Sequence, residues 1–402
     1  MTPFRRLWLA QTVSVSGDFL ALFAVQVAIV FRMHGNARDV AGVFIALLAP
    51  TVVLGPLAGV FADRWDPRRT MIASDLARGV LILLLTQAAT IPQLCAIAFA
   101  VSCCSSFFAP AQAITLPLLV ARADLLVANA RMQQGMQMAR LASPAVASAL
   151  VAAFGERICY ATDSATFFVS AALLATLRYS RPVARSPERA VFRELSSGFG
   201  LLLTDSRFSF VMLSLTAGTF AAGCFGALAP LYVRDVLHRG PAVLGMMGSL
   251  IAAGTVAGSS VLSGSGRNPR RLIGGGMAGV GASILLIALM PETAAALIGS
   301  AGMGIGVAVV MIVASVMLQG ETPPELRGRV SGSAAALTSL AQLAAILLAG
   351  MGAARLGIRS VLFVSVALLF ATAAYGIIAE RNQLGRCRSG CAAGNRSGPG
   401  DS

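Results

Sequence analysis

Along this chain, runs of apolar residues long enough to be helices alternate with short polar clusters rich in Arg, Pro, Asp or Asn. The runs lie near 7–31, 40–62, 71–89, 93–119, 129–154 and 158–177, and then near 208–232, 242–264, 272–290, 294–318, 330–354 and 359–379. A helix rising 1.5 Å per residue crosses a hydrocarbon core of roughly 30 Å in about 20 residues, so each run reads as a membrane span. Membrane strands would alternate apolar and polar positions over about ten residues, whereas these runs are continuously apolar. The pattern predicts an all-α membrane protein with about twelve transmembrane helices.

Composition agrees. Hydrophobic residues make up 56% of the 402 and charged residues 12%, with a mean hydropathy of +0.78. A soluble domain carries about a quarter charged residues. Small residues such as Gly248, Gly254, Gly258, Gly302, Gly304 and Gly306 suit close helix contacts, where lipid supplies no hydrophobic drive for association. The first run follows Arg5 and Arg6, as a secretory signal would, but it is too long for a signal core and holds Asp18 near its middle, so an uncleaved first helix is expected.

All 31 basic residues are Arg. With the N-terminus placed in the cytoplasm, 22 of them fall on that side and seven on the other, namely Arg32, Arg38, Arg157, Arg234, Arg239, Arg355 and Arg359, which leaves Arg78 and Arg140 inside spans. The positive-inside rule therefore sets both termini in the cytoplasm of a bacterial-type inner membrane. The net charge of +14 is then accounted for by loops facing anionic headgroups, without nucleic acid.

The longest polar connection holds Arg181, Pro182, Arg185, Pro187, Glu188 and Arg193 and divides the chain near its middle. The expected organisation is a six-helix half at 1–178, a cytoplasmic linker at 179–207, a second six-helix half at 208–380 and a polar, disordered tail at 381–402. Within the linker, 192–203 has spacing suited to a helix on the membrane surface. An internal echo supports the division. Asp66-Pro67-Arg68-Arg69 recurs as Asn268-Pro269-Arg270-Arg271, 202 positions on, and Asp124-Leu125 is matched by Glu325-Leu326 at a separation of 201. Parallel six-helix repeats mark one large class of transporter.

The segment from Gly59 through Asp63, Arg64, Trp65, Asp66 and Pro67 to Arg68 and Arg69 resembles the Gly-x-x-x-Asp-Arg signature of the major facilitator superfamily, and within it the bacterial exporters of macrolides and siderophores. Further similar stretches are Gly17-Asp18, Asp75-Leu76-Ala77-Arg78, Phe108-Ala109-Pro110-Ala111-Gln112 and Pro323 to Val330. Asp66 stands where the wider family has Gly, and Pro67 replaces a frequent basic residue. The antiporter signature of the fifth helix is present only in the reduced form Ser143-Pro144, followed by Ala145 and Ala147. The resemblance implies two halves rocking about a central cavity, a monomeric transporter of a small molecule, and a gating role for Gly59, Asp63, Arg64, Arg68 and Arg69. Independently of it, a carboxylate at the end of one helix beside Arg residues can latch onto a cation or a helix N-terminus.

Ionisable residues inside spans are expensive and so are functional candidates. Asp18 is the leading proton-coupling candidate, with Arg140 on the fifth span as its expected partner or an anion-binding group; a permanent structural hydrogen bond is the alternative. A carboxylate that passes between unlike surroundings can gain and release a proton. Asp75 and Arg78 are spaced for an intrahelical pair, and Asp163 lies about one turn inside the sixth span, within reach of the interface. Phe108, Gln112, Phe220 and Phe225 are cavity-lining candidates, with packing as the bland alternative. His34 and His238 fall in outer loops.

Neither a phosphate-cradling Gly-x-x-x-x-Gly-Lys segment nor a metal-spaced His or Cys cluster occurs, so no enzyme, cofactor or metal is expected. The seven cysteines form no Cys-x-x-Cys motif and imply no disulfide framework. The functions that fit are proton-driven export of a drug-like molecule or secondary metabolite, siderophore export or lysolipid flipping on the same fold, and a transport-inactive membrane receptor.

Overall fold

A computed structural model of the chain describes residues 2–177, 206–261, 268–321 and 327–394. The expected surface helix at 192–203 lies outside them, as does most of the linker. Twelve α-helices of span length form among the described residues: α1 Pro3–Val27, α2 Ala37–Arg64, α3 Pro67–Leu85, α4 Ile91–Leu119, α5 Leu125–Phe154, α6 Arg157–Ala175, α7 Ser206–Leu231, α8 Pro241–Val261, α9 Pro269–Leu289, α10 Thr293–Glu321, α11 Arg327–Leu356 and α12 Ile358–Gly394. Helices satisfy their backbone groups internally, which lipid demands of anything that spans it. Eleven are long and apolar enough to cross a membrane; the exception is α3, whose 19 residues include Arg68, Arg69, Asp75 and Arg78.

The polar clusters work as helix punctuation. Asp66 accepts a hydrogen bond from Arg69 N at 2.9 Å, with Pro67 opening α3, and Asn268 accepts one from Arg270 N at 3.0 Å, with Pro269 opening α9. The echoed Pro-Arg-Arg is thus the same N-cap module used twice. Asn36 and Asp39 form a reciprocal capping box at the start of α2. At the other end of the chain, α12 continues past 380 as far as Gly394. Glu380, Arg381, Gln383, Leu384 and Arg386 are sound helix formers, and extending an existing helix avoids the cost of nucleating one.

Helix contacts repeat between α1–α6 and α7–α12. In the first set α1 packs on α5 and α6, α2 on α4, and α3 on α4 and α6; in the second α7 packs on α11 and α12, α8 on α10, and α9 on α10 and α12. The principal contacts between the sets, α2 with α11 and α5 with α8, obey the same correspondence. Detail follows it too. A methyl group at Gly79 would stand 3.1 Å from the Phe168 ring, and one at Gly281 would stand 3.4 Å from the Phe370 ring.

Both α1 and α7 end in a π-turn, Ala28–Arg32 and Tyr232–Val236, followed by a histidine with positive φ, His34 at 51° and His238 at 52°. The closing hydrogen bonds also match: Gly35 N to Ile29 O at 2.7 Å, and Arg239 N to Val233 O at 2.9 Å. Nothing in the apolar pattern announced these π-turns.

Where backbones meet most closely, glycine is required. A Cβ at Gly254 would strike the Ala301 carbonyl, and one at Gly304 the Ile251 carbonyl, which locks α8 to α10. Elsewhere hydroxyls bridge helices: Ser164 Oγ donates to Gly79 O at 2.8 Å, Ser74 Oγ to Cys104 O at 2.8 Å, and Tyr232 Oη to Ile287 O at 2.5 Å. Cys95, Cys103, Cys104, Cys159 and Cys224 are free thiols.

Candidate functional site

Four ionisable side chains gather inside the first helix set, on α1, α3 and α6. Their frame is set by α6 lying between α1 and α3. Asp75 and Arg78, one helical turn apart on α3, form a buried ion pair, and Ser170 on α6 donates to the other Asp75 oxygen at 2.6 Å. Arg78 is 5% exposed, and its guanidinium lies 4.3 Å from the Phe167 ring centroid and 4.8 Å from that of Phe108. Two aromatic faces and a carboxylate thus replace the water an arginine would otherwise keep. Its Nε is nevertheless buried without a partner.

Asp163 is 0% exposed, deeper than its linear position suggested, because α1 covers it. A methyl group at Gly17 would run into both the Asp163 carboxylate and the Thr166 hydroxyl, so only glycine admits this approach. Asp163 Oδ1 lies 3.3 Å from Thr166 Oγ1, while Oδ2 is buried and unpartnered. Asp18, next along α1, is half-buried. The charged groups whose fields reach Asp18 are Arg78 and Asp75, and those that reach Asp163 are Asp18 and Arg78.

Arg140, the expected partner of Asp18, is exposed on α5 and stands outside this cluster. An α5 with no clear polar face gave no rotational signal to place it, and the cation nearest this cluster is Arg78. Phe108 and Phe225 are 5% and 4% exposed, which sets them in packing rather than on a cavity wall; Phe108 serves Arg78. Gln112 and Phe220 are half-buried.

In the signature loop, Gly59 and Asp63 lie in the last turns of α2, the Asp63 side chain falling outside the described set. Arg64 and Arg69 are exposed. Arg68 reaches the end of α6, where its Nε donates to Leu174 O at 3.3 Å and its terminal nitrogen to Ala175 O. Arg6 donates to the next carbonyl, Thr176 O, at 2.8 Å. Two cations therefore cap the carbonyls of one helix end, where the macrodipole favours positive charge. This face, which also bears the N-terminus, is called proximal below.

At the opposite, distal face, Arg234 crosses from the π-turn of α7 to the first helix set. Its Nη1 donates to Val30 O at 2.7 Å and Gly35 O at 2.9 Å, while its other nitrogens pair with Asp235. Close approaches between the sets lie in the same distal half: Gly350 against Ala37 and Ala41, Gly245 against Ser148, and Gly248 against Pro144. A cavity of about 450 Å³ bordered by Arg32, Gln87, Thr90 and Arg157 opens at this face. A second, of about 490 Å³, lies at the proximal ends of α2–α4 beside Trp65 and Phe107, whose rings stack at 5.9 Å. Among the described residues no group of three His, Cys, Asp or Glu is arranged to hold a metal.

The sequence model of the Major Facilitator Superfamily matches residues 7–340. The uncharacterized MFS-type transporter YfiS of Bacillus subtilis (strain 168) is 25% identical over 376 residues, covering 90% of this chain and 89% of its own. Macrolide efflux protein A of Streptococcus pyogenes is 25% identical over 384 residues, covering 92% and 94%. The enterobactin exporter EntS of Escherichia coli O1:K1 / APEC is 26% identical over 364 residues, covering 87% and 85%. Among solved structures, a bacterial homologue of the human lysosomal transporter Spinster, inward-facing and unoccupied, superposes with a TM-score of 0.73 at 14% identity, covering 94% of this chain and 97% of that one. An inward-facing bacterial homologue of the iron transporter ferroportin gives 0.73 at 16% identity, covering 93% and 98%.

Proposed function

Because this chain belongs to the major facilitator superfamily and is a multi-pass membrane transporter, we propose that it exports a small drug-like molecule or secondary metabolite across a bacterial inner membrane by alternating access and proton antiport. The single observation that carries the coupling part is the burial of Asp75, Arg78 and Asp163 within the helices of one half, with the half-buried Asp18 beside them. Charges there cost several kcal/mol unless they are used or fully paired, and this cluster has three carboxylates to one cation. Export is supported by the efflux and exporter relatives, and a cytoplasmic proximal face by the Arg distribution. The two halves are 1–178 and 208–380, joined by the 179–207 linker.

The distal contacts through Arg234, Gly350 and Gly245 fit a conformation closed on the outer side. Outward opening must break them, while the proximal signature, with Asp63 as its latch and Arg64 and Arg69 beside it, would close in exchange. Asp18 is the residue assigned to proton exchange with the cavity. Arg140, exposed on α5, is left as a group that could meet an anionic substrate. Similarity to the enterobactin exporter favours a second substrate reading, a siderophore.

The test uses purified protein in proteoliposomes with an imposed pH gradient, with a radiolabelled macrolide and enterobactin supplied in parallel. One of them should accumulate against its gradient with matching proton movement in the opposite direction. Asp18→Asn should abolish the gradient-driven flux and leave downhill exchange measurable. Gradient-driven flux at the unmodified rate in well-folded Asp18→Asn protein would remove Asp18 from the coupling.

A further inference from the structure

The buried carboxylate of Asp163 has surroundings that suit an acid better than an ion. Its Oδ1 shares the one hydroxyl proton of Thr166, which is already given to Asp163 O at 2.7 Å. Its Oδ2 meets no donor at all. An ionised carboxylate left this way would bear the full penalty of an unsatisfied charged group. A protonated one needs only an acceptor for its single O–H. Around it, α1 presents Asp18, α3 presents Arg78 with Asp75 behind, and from α5 no charged group acts on it. Arg78 is committed to Asp75 through its terminal nitrogen, yet its Nε is buried and idle. Asp18 is half-buried and makes no hydrogen bond to protein among the described residues.

We propose that Asp163 and Asp18 form a two-carboxylate proton relay, in which Asp163 is the buried store of the exchanged proton and the half-buried Asp18 its port to the transport pathway. The inference rests on the proton-antiport reading and deepens it by adding a second carboxylate that linear position had assigned to the membrane interface. In the step itself, the O–H bond of Asp163 breaks as one forms on the Asp18 carboxylate, directly or through one water. Asp163 is then the anion, and the positive charge of Arg78 on the neighbouring α3 favours it there. The pair loses no net charge in the transfer; the negative charge moves from Asp18 to Asp163, toward Arg78. Return of the proton reverses both changes. Gly17 is the positioning residue, since only a missing side chain lets α1 approach Asp163 and Thr166 at the residue next to Asp18.

Infrared difference spectroscopy on the intact reconstituted protein tests the store without needing a substrate. At neutral pH the unmodified protein should show the carbonyl stretch of a buried carboxylic acid, shifted in heavy water; Asp163→Asn should lack the band, and Asp18→Asn should keep it. With the macrolide as probe, gradient-driven flux in Asp163→Asn should fall about a hundredfold, as for loss of a proton-transfer group, while counterflow exchange persists. Absence of the band from unmodified protein overturns the proposal, and does so even if Asp163→Asn fails to fold. A band that survives Asp163→Asn but vanishes in Asp18→Asn also overturns it, and leaves proton coupling through Asp18 standing. If Asp18→Asn uncouples and Asp163→Asn does not, the relay fails alone; if neither uncouples, the relay fails and both carboxylates leave the coupling; and if the unmodified protein shows no gradient-driven flux, the antiport reading itself fails.

Discussion

Arg234→Ala removes a clasp that exists only while the distal ends of α1 and α7 are together. Two charge-assisted hydrogen bonds are lost, to Val30 O at 2.7 Å and Gly35 O at 2.9 Å. In a shielded site each would contribute about 1.5–3 kcal/mol. The Arg234 side chain keeps 23% of its exposure, however, so water takes over part of the bonding when the clasp opens. A combined effect of about 2 kcal/mol is the appropriate scale, which corresponds to a roughly thirtyfold change in the ratio of distal-closed to distal-open protein. The sign is fixed by geometry: only the closed state has the bonds, so the variant moves toward the open one.

Spin labels at Arg38→Cys and Arg239→Cys, both exposed distal positions, would report the shift as a gain in the long-distance population, with the seven native cysteines replaced beforehand. Arg234→Lys should fall between, because a single ammonium cannot pair with Asp235 and span both carbonyls as a planar fork does. Asp235→Asn should change little, since it leaves both clasp bonds in place. Superimposable distance distributions for Arg234→Ala and the parent would refute the clasp.

Arg78→Met should destabilise the protein by about 3–5 kcal/mol, because it strands Asp75 in a buried site, and the double variant Asp75→Asn/Arg78→Met should recover much of that loss in a thermal melt. Additive losses would mean that the pair is not the source of the cost. Gly17→Ala should cost about 1–3 kcal/mol as α1 is pushed off α6. The same variant should impair gradient-driven flux more than downhill exchange, and an unchanged melting temperature would show that the approach at Gly17 is looser than described.

The fold was legible because lipid imposes one rule on every span, and twelve runs of the right length obey it. Even α3 was marked, through the apolar run at 71–89, although the helix itself starts at Pro67 and takes in Arg68 and Arg69. The polar clusters were legible as punctuation, but their chemistry was not. That Asp66-Pro67 and Asn268-Pro269 are N-caps follows only once the helices are seen to start there. The π-turns left no trace, because a single inserted residue in an apolar run changes no pattern that lipid reads.

Site residues were legible by type and illegible by direction. A helix apolar all round carries no moment to show which side faces its neighbours. Asp163 therefore lies further inward than its linear position suggested, while nothing in the sequence set a direction for Arg140, which is exposed on α5. The decisive contact, Gly17 against Asp163, joins residues 146 positions apart and is set by which helices meet.

The internal correspondence then says why this cluster exists. Shifting by the 202 positions that separate the two N-caps, Asp75, Arg78, Asp163 and Ser170 correspond to Met277, Val280, Ser365 and Thr372. All four are buried, at 1%, 5%, 0% and 3% exposure. The same helix contacts, α9 with α12 and α10, are built there with uncharged side chains at all four positions. Packing of this kind consequently has no need of an ion pair, an idle guanidinium nitrogen or a bare carboxylate oxygen. Replacing a buried ion pair by apolar residues of similar size is commonly neutral or stabilising, and the second helix set shows such a replacement already in place. The charges of the first set are therefore a cost that folding does not impose, and proton exchange is a use that requires them.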